Sequence, residues 1–226
     1  MIYFGGWTFL LLVPALLLTV YAQIRVSSTF NKYAKVRSGR GLTGAEGARL
    51  LLDASGLQNV TIEMIGGKLS DNYDPRTRTL RLSGGVAESA SLASLGVAAH
   101  EVGHAVQHAE GYAPMKLRSL LVPAANVGSS LGYILFLAGL IFFRSPLLVN
   151  VGIVFFSASV FFTVVTLPVE LDASRRALAS LSEKGILVAN EIDGARAVLR
   201  AAALTYLAAA LMAILNLARM ILISRR

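Results

Sequence analysis

The chain has no cysteine in 226 residues. That excludes disulfides, cysteine–zinc sites and thiol catalysis. Charge is scarce as well: Asp, Glu, Lys and Arg make up 15%, against about 25% in ordinary soluble domains. With 55% hydrophobic residues and a mean hydropathy of +0.63, this excludes a disordered chain and points away from a fully soluble globule. Acids are the scarcer charge, 13 against 21 Lys and Arg, for a net charge of +8. A basic balance can mean nucleic acid, but only where the cations form a patch with a reading element. The sequence has no zinc finger and no basic helix, so no nucleic-acid partner is expected. Histidine is rare too. There are three, His100, His104 and His108, all within nine residues.

What the chain has in quantity is long apolar runs. The first extends from about Tyr3 to Tyr21, with Trp7 and the tyrosines near its ends, where aromatic belts sit. No Lys or Arg precedes it, so the n-region of a cleaved signal peptide is missing. It reads as a retained anchor with its N-terminus outside. The second run is about Leu117 to Phe143 and the third about Leu147 to Leu167. Only Arg144-Ser145-Pro146 separates them, a tight helical hairpin in which Pro146 stops a continuous helix. The fourth, about Ala201 to Ile223, is Ala-rich and contains Asn216 and Arg219. Each is long enough for the roughly 20 residues that a span needs.

Between the first and second runs, Gln23 to Lys116 is polar enough for a soluble lobe. Thr43-Gly44-Ala45-Glu46 reads as a capping box, with helix to about Ala54 and a stop at Gly56. Val60–Ile65 and Thr77–Leu82 alternate apolar with polar residues and are expected as two paired strands, with turn formers between. Helix resumes near Glu88 or Ser91 and runs to about Glu110. A further helical segment is expected from Glu170 to about Lys184, ending at Gly185.

Basic residues orient this arrangement. Twelve lie from Gln23 through Arg118 and five more between the third and fourth runs, whereas Arg144, Arg219, Arg225 and Arg226 fall on the other side. Seventeen against four places the lobe and the Glu170 segment together in the cytoplasm. The expected architecture is therefore a mainly α integral membrane protein, with about four transmembrane helices and a small α+β zincin-like cytoplasmic lobe. Its expected parts are an anchor at 1–22, the lobe at 23–116, a transmembrane hairpin at 117–168, a cytoplasmic helical segment at 169–200 and a last transmembrane helix at 201–226.

The chemistry lies in His100-Glu101-Val102-Gly103-His104, an H-E-x-x-H pattern on an expected helix. Residues i and i+4 stand about 40° apart and about 6 Å along the axis, on one face. Two imidazoles there can converge on one metal ion, with Glu101 as the general base toward a metal-bound water. A catalytic zinc wants a third protein ligand and an open position. His108 continues the stripe but lies about 12 Å along a straight helix from His100, too far for easy convergence. Its alternative role is a helix-end side chain or a donor behind a ligand. Glu170, just past the third run in Leu167-Pro168-Val169-Glu170-Leu171-Asp172, is the better candidate. The hairpin goes out and returns, so Glu170 comes back to the face that carries His104. Asp172 is either a carboxylate that orients a ligand imidazole or the N-cap of the helix that follows. Arg175, Arg176, Tyr112 and Tyr73 are candidate donors to an oxyanion. The arginines can equally be cytoplasmic anchors. The edge of the strand pair around Ile62 and Leu80 can hold an extended peptide or serve as plain scaffold.

These words resemble a family. Tyr73-Asp74-Pro75-Arg76, Leu80-Arg81-Leu82-Ser83, the stretch Gly96 to Ala105 around the H-E-x-x-H, Leu167-Pro168-Val169-Glu170 with Asp172 to Ala177, and Ala202 to Tyr206 are similar to the YugP-like neutral zinc metallopeptidases of prokaryotic membranes, within the gluzincin class. The resemblance covers nearly the whole chain. In plan the sequence is also similar to HtpX-type and CAAX prenyl proteases, which set a zinc helix beside membrane spans and a glutamate ligand on a later helix. Those relatives carry an acid four positions after the ligand glutamate; here that position is Ser174. The resemblance implies one catalytic Zn2+, a protein or peptide substrate, and residence in the prokaryotic plasma membrane. The expected function is a membrane zinc endopeptidase acting on membrane or membrane-proximal proteins. The alternative is a proteolytically inert zinc-binding membrane scaffold or assembly factor, which needs His100 and His104 but not Glu101.

Overall fold

The structure is a computed structural model that describes residues 6–68 and 70–225. Tyr3 of the first run and Arg226 lie outside them. The chain is mainly helical, with one small sheet. A 3-10 turn (Gly6–Leu12) leads into α1 (Val13–Tyr33), followed by α2 (Gly44–Ala54), β1 (Thr61–Ile65), β2 (Asn72–Asp74), β3 (Thr79–Ser83), the short α3 (Gly84–Ala87) and α4 (Leu92–Ala109). Then come α5 (Ala113–Leu137), α6 (Pro146–Glu183) and α7 (Ala189–Ser224). Among the described residues four helices are long and apolar enough to cross a membrane: Trp7–Tyr33, Ala113–Phe142, Pro146–Glu183 and Ala189–Ser224.

The chain divides into two compact units. One, here called the lobe, holds Gln23–Met115 and Val169–Leu204. The other, the apolar unit, holds the residues up to Ala22, Lys116–Pro168 and those from Thr205 onward.

In the lobe, α2 begins as the capping box foretells. The Thr43 hydroxyl accepts from Glu46 N at 3.2 Å, and the Glu46 carboxylate accepts from Thr43 N at 2.8 Å. These two bonds satisfy donors that a helix start would otherwise leave open. The sheet has the order β1-β3-β2. β1 and β3 run parallel, with Ile62 opposite Leu80, and β2 pairs antiparallel to β3, with Tyr73 opposite Leu80. Two strands are expected from alternation; the third, β2, is a correction. Its Asn-Tyr-Asp sequence is poor in strand formers, and the pairing with β3 makes it a strand. Leu80 and Leu82 of the central strand are fully buried. They join Leu51, Leu52, Leu95, Val102, Leu181 and Leu199 in one core. α4 packs directly on α2 and on the sheet, so the core fixes the H-E-x-x-H helix.

Two further expectations need correction. The segment from Glu170 is not a separate helix: α6 runs unbroken from Pro146 to Glu183 with Pro168 inside it. Proline costs one backbone bond, but long apolar helices tolerate it where surrounding groups re-satisfy the backbone. The helix ends where expected, with Gly185 at φ +59°. α7 begins twelve residues before the fourth apolar run. Its first three turns bury Ile192, Ala195 and Leu199 in the lobe core while showing charges outward, an amphipathic pattern that a search for continuous apolar runs passes over.

In the apolar unit the second and third runs form the expected hairpin. A π-helical turn (Ala138–Phe142) closes α5, and Pro146 opens α6, at the helical position that tolerates proline best. Phe136, Val149, Phe156, Val160 and Met220 make its core.

Candidate metal centre

His100, Glu101 and His104 lie on α4, and Glu170 lies on α6 in the same lobe. A Glu170 oxygen stands 3.1 Å from His100 Nε2 and 3.4 Å from His104 Nε2. One ligand atom from each of these three residues lies within 4.8 Å of the others, in a group that can hold a metal ion. Donors placed 2.0–2.1 Å from a tetrahedral zinc stand about 3.3 Å apart. The two nitrogen–oxygen distances therefore fit that ion. The side chain of His100 is 12% exposed and that of Glu170 3%, so little water reaches the carboxylate.

The close approach of α4 to α6 depends on one glycine. A methyl group on Gly103 would sit 2.7 Å from the carbonyl oxygen of Ala173 and 3.1 Å from its Cα. Backbone cannot swing aside as a side chain can. Only glycine lets the α4 backbone come this near the turn of α6 that follows Glu170.

The remaining polar atoms show why the imidazoles face inward. Gln107 is fully buried. Its amide nitrogen donates to the Val169 carbonyl and to Asp172 Oδ2, both at 2.9 Å. Those two acceptors fix the amide orientation and turn Oε1 toward His104 Nδ1, 3.0 Å away. Nδ1 must then carry the proton, which leaves a lone pair on Nε2. That lone pair faces the Glu170 oxygen. Two acceptors face each other only with a cation between them, either a proton or a metal. Burial alone would lower the His104 pKa; the neighbouring Glu170 and Glu101 carboxylates reverse that and raise it. The pocket attracts positive charge. Ser174 Oγ lies 3.1 Å from His100 Nδ1 and orients that ring, with a hydroxyl able to donate or accept there.

Asp172 does not cap a helix, because α6 continues past it on both sides. Nor does it touch an imidazole directly: Gln107 stands between. Its other partners are Arg175 and Arg176, the latter through Nε at 2.6 Å. Arg176 also pairs with Glu110 at 2.7 Å and stacks over the Tyr112 ring. Three of the four oxyanion candidates, Arg175, Arg176 and Tyr112, thus occur in one cluster around Asp172, whereas the fourth, Tyr73, bonds His108. His108 lies outside the metal-binding group; its Nδ1 bonds the Tyr73 hydroxyl at 2.9 Å. Glu101 is buried, 8% exposed, within the same stretch of α4.

Gln107 is a residue that the sequence does not flag, and Ser174 is noted there only as a departure from an acid. Gln107 stands three positions after His104 and Ser174 four after Glu170, spacings that place each on the face of its helix that meets the site.

Residues 8–225 match the family described as "Putative neutral zinc metallopeptidase". A curated relative, "Putative membrane protease YugP" of Bacillus subtilis (strain 168), is 46% identical over 213 residues, covering 94% of each chain. No solved structure matches. With this match running through both the H-E-x-x-H helix and the later glutamate, the chain belongs to the neutral zinc metallopeptidase family that includes the YugP-like proteins.

Proposed function

We propose that this protein is a membrane-embedded zinc endopeptidase in which His100, His104 and Glu170 hold the metal and Glu101 is the general base. The observation that carries this reading is the convergence of two Nε2 atoms and one carboxylate oxygen from two helices, with each imidazole Nδ1 already engaged by Gln107 or Ser174. When bound, zinc supplies a Lewis acid for a peptide carbonyl and makes a nearby water acidic. Glu170 would add one negative charge beside the two neutral imidazoles that would hold the ion with it. The Glu101 carboxylate takes a proton from the attacking water and hands it to the leaving amine. Gln107 and Ser174 hold the two rings in the orientation that keeps Nε2 free. Burial of the group strengthens each of these interactions by excluding water.

The substrates are membrane or membrane-proximal proteins. Four helices apolar enough to span a bilayer and the relative named "Putative membrane protease YugP" support this reading. Seventeen of 21 basic residues lie on one side of the proposed spans, which puts the lobe and its site in the cytoplasm. In this arrangement 1–22, 117–168 and 201–226 lie in the membrane, and 23–116 with 169–200 form the catalytic lobe. No nucleic-acid partner enters this reading.

Glu101→Gln tests it. The variant keeps its zinc and loses cleavage of a casein-like or membrane substrate by on the order of 100-fold or more, the scale of general-base catalysis. Terminal proteomics comparing cells with wild type and Glu101→Gln reads the natural cleavages. Unchanged cellular function in the variant would favour the zinc-binding scaffold instead.

A further inference from the structure

A cavity of ≈ 300 Å³ opens in the lobe beside the C-terminal half of α4. Ala105, His108 and Ala109 form its α4 wall, and Tyr73 and Arg78 come from the β2–β3 hairpin. At 100° per residue, Glu101, Ala105 and His108 fall within about 60° on one stripe of the helix, and Ala105 is about 6 Å along the axis from Glu101. An extended peptide advances about 3.3–3.6 Å per residue. The cavity therefore lies within one or two substrate residues of a bond cleaved beside Glu101.

Its lining contains one full charge, the Arg78 guanidinium, and no Asp or Glu. The neighbouring Arg81 is committed to Asp74 at 3.2 Å and Glu63 at 3.6 Å. Arg78 has no carboxylate partner among the described residues. Its backbone is unusual as well. With φ at +53° it occupies a left-handed position at which glycine would be less strained. Asn59, Tyr73 and His108 add neutral polar groups. A phenol hydroxyl bonded to Nδ1 at 2.9 Å leaves the histidine's Nε2 as a second donor when the phenol gives its proton.

We propose that this cavity is a substrate subsite that binds a carboxylate, with Arg78 as the charged partner and His108, oriented by Tyr73, as the second donor. The inference rests on the metallopeptidase reading for what it selects, since the ligand is a peptide held near Glu101. The carboxylate comes either from an acidic side chain one or two residues from the scissile bond or from the end of the peptide chain. A guanidinium meets both with the same bidentate geometry.

Binding separates this proposal from the cleavage reading. The full chain carrying Glu101→Gln, zinc-loaded in detergent or nanodiscs, is titrated with fluorescent peptides followed by anisotropy. The peptides pair Glu with Gln at each position near the centre, each with a free or an amidated C-terminus. The expected result is at least tenfold tighter binding of one carboxylate form over its amide counterpart. Adding Arg78→Gln brings that ratio close to one without changing zinc content. A preference that follows the internal Glu assigns the side chain as the source; one that follows the free C-terminus assigns the chain end. No preference, no binding, or a preference that survives Arg78→Gln overturns the subsite. If the preference holds and depends on Arg78, yet the protein with Glu101 intact and fully loaded cleaves none of the peptides that bind, the subsite stands and the peptidase reading fails.

Discussion

The two halves of α6 show how differently the two units use one helix. Its first half, in the apolar unit, is nearly all Val, Phe, Leu and small residues, and exposes Leu147 at 71% and Val154 at 68%. Its second half, in the lobe, carries Glu170, Asp172, Ser174 and Arg176, with Glu170 and Asp172 buried. The apolar unit satisfies its polar side chains mostly within the same helix. Ser157, Ser159, Thr163 and Thr166 each donate to a carbonyl three or four residues back. The lobe satisfies its own across helices, through Gln107 to Val169 and Asp172 and through Ser174 to His100. A polar group that closes on its own helix leaves an apolar surface fit for lipid. One that closes on another helix fixes a geometry, and catalysis requires that.

The sharpest test of this contrast replaces one polar residue in each half of α6. Glu170→Ala should reduce bound zinc from one per chain to nearly none, read by atomic spectroscopy on purified protein. Thr166→Ala, one turn earlier, should leave zinc unchanged, because that hydroxyl bonds only Phe162 O in its own helix. His108→Ala should also keep most of the metal. Full zinc in the Glu170 variant would remove the third ligand from the proposal.

Much of this contrast is legible in the sequence, for reasons that differ by element. H-E-x-x-H is local: two ligands one helical turn apart need no tertiary information. The apolar runs are local as well. Glu170 is distant in sequence, yet a carboxylate at the end of an apolar run, on the returning arm of a hairpin, stands out as the better candidate over His108. Gln107 and Ser174 are not legible in that way. Their types are common, and their roles exist only once α4 and α6 meet. Ser174 is read from the sequence as a missing acid, whereas in the structure its hydroxyl reaches His100 Nδ1. Asp172 is ambiguous for a related reason. As the cap of a new helix it would begin an element, but α6 runs through it and leaves Asp172 facing Gln107 and two arginines.

Gln107→Leu asks whether a cross-helix amide is worth more than an amide in the apolar half. Leucine has similar bulk and no polar atoms, so His104 Nδ1 loses its acceptor and the imidazole its fixed orientation. Zinc affinity should fall about 10–100-fold, the usual effect of removing the group behind a ligand histidine, measured by competition with a chelator of known affinity. Asn150→Leu, at an exposed position in the first half of α6, should leave the affinity unchanged. Equal effects from the two variants would break the contrast.

The smallest expected effect compares two glycines, one per unit, that serve the same purpose in packing. A methyl on Gly103 meets Ala173 backbone at 2.7 Å, and one on Gly132 meets Phe156 N at 2.6 Å. Both contacts are with backbone, so each alanine variant must push two helices apart, at a cost of about 1–3 kcal/mol. The melting temperature should fall in both. The consequences for the metal should differ. In Gly103→Ala the movement opens the gap between the His100–His104 pair and Glu170, so zinc is released more readily to a chelator. In Gly132→Ala the movement lies within the hairpin of α5 and α6, and zinc retention should match wild type. Loss of zinc from both variants to the same degree would mean that the metal site depends on the packing of the apolar unit as much as on its own.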